Sequence, residues 1–148
     1  MAQAGFGLEE ISDRVKALVN QVDMLVLFNT AKYLTQSGRV NNLLLTAASM
    51  LNIRLLMKFR DGEIVRSGIA RTFDRGMGKL YDFVKGKNDI KELIIVHSMV
   101  PEEAEHLRKR MAGFVSEDKI TISHMGAGLG VHGGPGVLLV SIRQGDSQ

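Results

Sequence analysis

IRLLMKFRDGEIVRSGIART, residues 53–72, contains two strand-like runs on either side of Asp61-Gly62. An Asp-Gly pair between apolar runs favours a two-residue hairpin, because the turn needs positive φ at its central positions. Ile53 to Phe59 and Glu63 to Thr72 are therefore expected as antiparallel partners. A hairpin set among helices excludes an all-parallel sheet and makes the fold a mixed one.

Working outward, Met24-Leu25-Val26-Leu27-Phe28 reads as a fully buried strand, and Glu92 to His97, Lys119 to Ser123 and Val137 to Arg143 as three more. Helical spacing places helices over Leu8 to Asn20, Thr30 to Gln36, Asn42 to Leu51 and Asp74 to Val84. Another runs from Pro101 to about Phe114, with proline and acids in its first turn and Arg108-Lys109-Arg110 near its end. Helices and strands alternate around one inserted hairpin, so the expected class is α/β with a mixed sheet flanked by helices, in a single domain over residues 1–148.

The composition narrows the function. It is 45% hydrophobic and 24% charged, ordinary for a globular chain and too apolar for disorder. No apolar run reaches the roughly 20 residues a membrane span requires, and the first residues lack a signal-peptide pattern. Cysteine is absent, which removes disulfide and thiolate chemistry and fits a cytoplasmic location. The net charge of +3 is mild, its basic residues scattered among acids and tryptophan missing, so a nucleic-acid groove is not expected. Eight methionines supply flexible side chains that fit irregular apolar shapes, in a core gap or around a greasy ligand.

The richest chemical signal is Gly126 to Gly136, GAGLGVHGGPG, followed at once by the strand-like Val137. Glycine allows positive φ and close approach to the backbone, at an entropic cost. Three readings stand: a dinucleotide fingerprint, a tight crossover between strands, and a seat for an anion or carboxylate. The fingerprint reading lacks the helix expected to begin there, since Pro135-Gly136 and a strand follow. In the anion seat, the loop amides form a concave nest and His132 donates a hydrogen bond. His97, His106 and His124 show no metal-ligand spacing, and the serines lack a nucleophile-elbow context, so no metal, cofactor or catalytic residue is expected. Arg39 and Arg71 read as solvated charge or as bidentate contacts to a partner or phosphate.

Five fragments carry a likeness. Tyr33-Leu-Thr-Gln-Ser-Gly-Arg39-Val40 resembles the YL-x-x-GGRI stretch of the DegV family of bacterial fatty-acid-binding proteins, and Leu51 to Leu56 resembles its LNIKPIL. Asp61 to Val65 resembles its DG-x-I hairpin, Ala70-Arg71-Thr72 its V-R-T or V-R-G, and His132 to Gly136 its H-x-GPG. Ser37, Thr35-Gln36 and Asn41-Asn42 depart from the family's glycine, basic pair and Ser-Lys.

The resemblance implies a long-chain fatty acid lying in a two-lobed α/β fold, of which this chain matches the C-terminal half. The N-terminal lobe, whose threonine and serine hold the carboxylate, is expected to be absent: lost, cut away or separately encoded. His132, Gly133, Gly134 and Gly136 then form the head-group loop, and Leu43 to Met50 are candidates for the acyl tail. The likeness also implies presentation of the acyl chain to a fatty-acid kinase, with Arg39 and Arg71 at the docking surface. The alternative is an oligomerising interaction module, a homodimer or a pair with the missing half, that has lost lipid binding.

Overall fold

The computed structural model describes residues 1–36, 53–60 and 62–145. In chain order it contains α1 (Leu8–Val19), β1 (Val22–Phe28), α2 (Lys32–Gln36), β2 (Arg54–Arg60), β3 (Glu63–Ala70) and α3 (Phe73–Lys85). Then come β4 (Ile90–Ser98), α4 (Pro101–Met111), β5 (Ile120–His124), α5 (Ala127–Gly133) and β6 (Val137–Gln144). The expected helix over Asn42 to Leu51 and the turn residue Asp61 lie outside the described residues.

The strands form one sheet in the order β3-β2-β1-β6-β4-β5. The hairpin pairs β2 with β3 antiparallel, Arg60 opposite Glu63, and Gly62 takes the positive φ its turn requires (80°). β6 enters between β1 and β4 and runs antiparallel to both, and among the described residues only β4 and β5 are parallel. The sheet is mixed and flanked by helices, as the alternation of elements predicts.

Both faces are apolar, and strand alternation divides them. Leu25 and Leu27 of β1, Leu56 of β2, and Leu138, Val140 and Ile142 of β6 join the larger core. Leu80 and Val84 of α3 and Leu107 and Met111 of α4 cover it, each almost wholly removed from solvent. These helices are well bounded. The Thr72 hydroxyl caps α3 by accepting from the Arg75 amide at 3.2 Å, and Pro101, Glu102 and Glu103 open α4.

The intervening positions, Val26, Phe28, Leu55, Met57 and Val137, face the other way and pack with Ala31 and Leu34. Among the described residues this second core is smaller. The helix α1 differs from the rest: none of its residues is buried, and Leu8, Val15 and Val19 of its apolar stripe are exposed.

The glycine-rich stretch corrects an expectation. It is no open loop, because Ala127–Gly133 form about two turns of helix, capped at Gly126 and closed by Gly134. Glycine opposes this conformation, costing about 1 kcal/mol per residue relative to alanine, so tertiary contacts at the ends must hold it. They are visible: the Met125 amide donates to the His97 carbonyl at 2.8 Å, and the Gly136 amide to the Ser98 carbonyl at 2.8 Å.

Candidate functional site

The second face of the sheet is incompletely filled. A cavity of about 880 Å³ lies over it, floored by Val26, Phe28, Leu55, Met57 and Leu139. Leu34 of α2 closes one side, and Met125, Leu129, His132 and Gly133 line it from α5 and the turn before it. Glu63 and Arg66 of β3 stand at its exposed rim. Such a space, mostly apolar with a few polar groups on its wall, suits an apolar ligand carrying one polar end.

His132 is the half-buried polar group on that wall. Its Nδ1 is buried with no hydrogen-bond partner among the described residues. The ring is therefore not locked against the protein's own carbonyls through that atom. An orphaned N–H is rarer and costlier than an orphaned acceptor, which favours the tautomer with the proton on Nε2. Nε2–H is then the donor available to a ligand oxygen.

The four glycine-loop residues of the expected anion seat divide. His132 and Gly133 line the cavity, whereas Gly134 and Gly136 do not. The Gly134 amide donates to the Gly130 carbonyl at 2.8 Å and the Gly136 amide to the Ser98 carbonyl. A nest of bare amides is thus not what this loop builds, because these two N–H groups close α5 and its exit turn. Their positive φ values, 74° and 81°, give them a shaping role.

The dinucleotide reading fails for a different reason from the one expected. A helix does begin at the glycines, but the strand after it, β6, is antiparallel to β4, which is itself parallel to β5. No parallel βαβ unit exists there to present a pyrophosphate.

Arg71 sits exposed in the bend between β3 and α3 and is not among the cavity-lining residues. Arg39 and Leu43 to Met50 lie outside the described residues. The cavity floor carries a signal in the sequence. In β1 and β2 both alternating sets are apolar, so two cores, or one core and a ligand space, must exist.

A second histidine, His97, is only 2% exposed and meets the His124 ring at 4.4 Å between centroids. Its Nδ1 also lacks a partner among the described residues. Burial depresses its pKa and His124 adds to the effect, while Glu103 opposes it. This residue does not line the cavity. Among the described residues, no group of three or more histidines and carboxylates could hold a metal, and no helix is long and apolar enough to cross a membrane.

A family model described as "Uncharacterised protein, DegV family" matches residues 1–144. The DegV domain-containing protein YejH of Lactococcus lactis is 26% identical over 146 residues, 96% of this chain and 52% of its own length. Among solved structures, a DegV family protein from Eubacterium eligens loaded with heptadecanoic acid superposes with a TM-score of 0.85 at 18% identity, over 98% of this chain and 53% of its own. The fatty acid kinase B3 protein of Streptococcus pneumoniae, loaded with linoleic acid, gives 0.85 at 19% identity, over 96% of this chain and 51% of its own. The chain spans about half the length of the curated relatives it matches.

Proposed function

Because the chain belongs to the DegV family, we propose that it binds a long-chain fatty acid in the cavity over the second sheet face, with the carboxylate at His132. One observation carries this reading: a half-buried imidazole on the wall of an apolar space of about 880 Å³. Burying each methylene contributes about 0.8 kcal/mol, so the tail supplies affinity. The carboxylate needs a charge-assisted hydrogen bond, which His132 Nε2–H supplies, because an unpaired buried charge is costly. Gly133 lines the space beside His132, and Gly134 and Gly136 set the turn that follows. The fatty acids held by the solved relatives support this assignment.

In this account the protein is a binding lobe working in the cytoplasm, and the chemistry belongs to a partner. That partner is a fatty-acid kinase, which takes the acyl carboxylate from the bound complex, with Arg39 and the exposed Arg71 on the docking surface. The uncovered stripe of α1 supports a second reading, an interaction module that pairs with a copy of itself or with a separate first half. Native mass spectrometry of protein purified from cells tests both. A mass increment equal to a long-chain fatty acid is expected; apo monomer alone contradicts both readings.

A further inference from the structure

We infer that Tyr33 is a positioning residue for the His132 site, its ring seated on the bare Cα of Gly134 two residues beyond the imidazole. The inference rests on the head-group role proposed above. A helix as short as α5, with glycine at positions 128, 130 and 133, is not stable by itself, so its orientation is set from outside. At its entry the backbone of His97 holds Met125, and past its exit the backbone of Ser98 holds Gly136. The exit turn has a third support. A methyl group built on Gly134 would overlap the Tyr33 ring, and one on Gly136 would come within 2.7 Å of Asn29 Cβ. The ring therefore occupies the space where any other residue would carry its side chain.

Tyr33 belongs to α2, which also supplies the buried Leu34 to the cavity wall. The same short helix thus lines the ligand space and braces the turn behind the head-group residue. Among the described residues the Tyr33 hydroxyl makes no hydrogen bond, so the support comes from the face of the ring. Phenylalanine should do the same work, and alanine should leave α5 free to swing His132 off its place. Partners that orient metal ligands are worth about ten- to a hundredfold in affinity, and a loss of about tenfold or more is expected here.

The test is titration of the delipidated chain with palmitate, read by calorimetry and by the imidazole NMR signals of His132, in four proteins. Tyr33→Phe should match the unsubstituted chain. Tyr33→Ala should bind at least about tenfold more weakly, with an altered His132 signal, and Tyr33→Leu should lie between them. If Tyr33→Ala does not fold, the comparison of Tyr33→Leu with Tyr33→Phe carries the same test. Palmitate affinity indifferent to the loss of the ring overturns the inference, and so does a Phe variant as weak as the Ala or Leu one. His132→Ala separates the two levels. If it binds palmitate normally, the head-group reading fails; if it alone binds weakly, only the role of Tyr33 fails.

Discussion

Replacing Gly134 with alanine should be among the most damaging single-methyl additions in the molecule. The residue has φ 74° and ψ −173°, a region that is essentially reserved for glycine. Forcing a Cβ into that conformation costs about 1–3 kcal/mol. The methyl also meets the Tyr33 ring, and overpacking of this kind costs about another 1–3 kcal/mol. A loss of about 2–6 kcal/mol is expected, a large part of the roughly 5–15 kcal/mol that holds a domain folded. Urea unfolding followed by circular dichroism measures it as a fall in midpoint at unchanged slope. The Tyr33→Ala background isolates the two contributions. There the methyl has room, so the same substitution should cost only its backbone share, about 1–3 kcal/mol. A loss below about 1 kcal/mol, or the same loss in both backgrounds, would refute the reasoning.

Three further outcomes are expected. Leu80→Ala removes a fully buried side chain from the larger core and should cost about 2–5 kcal/mol in the same assay. His97 should make stability depend on pH in a defined direction. Its folded pKa lies below the ordinary 6.5, so the unfolded chain takes up the proton first, and stability falls as pH drops through that value. Urea midpoints from pH 8 to 5 should decline for the unsubstituted chain and flatten for His97→Gln; an unchanged slope would assign the effect to another group. Met57→Trp fills the cavity floor and should reduce bound fatty acid, seen by mass spectrometry of a solvent extract, while the chain stays folded.

The middle of the sheet is legible in the sequence because apolar residues occupy both of its faces. A strand with apolar residues on two faces appears as a continuous apolar run, and β1 and β6 are recognisable for that reason. Gly62 with its positive φ is the residue that reveals the hairpin. The order of strands is not legible, since β6 comes last in the chain yet lies between β1 and β4. Local patterns carry no information about such distant pairings.

The helix α5 is hidden for a complementary reason. Its glycines disfavour a helix locally, and contacts from His97, Ser98 and Tyr33, distant in sequence, impose it. His132 stands out in the sequence as the lone titratable group among glycines, and the structure places it on the cavity wall. The fate of the glycine amides was not legible, because their acceptors, Gly130 and Ser98, are chosen by the folded turn. The cavity floor belongs to the same limit. Alternation separates Val26 and Phe28 from Leu25 and Leu27, but not which set lies beneath helices and which beneath an open space.

The central claim is that the His132 imidazole grips a carboxylate whose hydrocarbon tail fills the cavity. Competitive titration of a fluorescent acyl probe by palmitate and by hexadecanol, on the chain and on His132→Ala, tests it most directly. A hydrogen bond to a charged group contributes about 1.5–3 kcal/mol, so palmitate should displace the probe at roughly tenfold or more lower concentration than the alcohol. In His132→Ala that preference should vanish while the alcohol still binds. A preference for the acid that survives in His132→Ala, or binding of neither compound by the unsubstituted chain, would contradict the account.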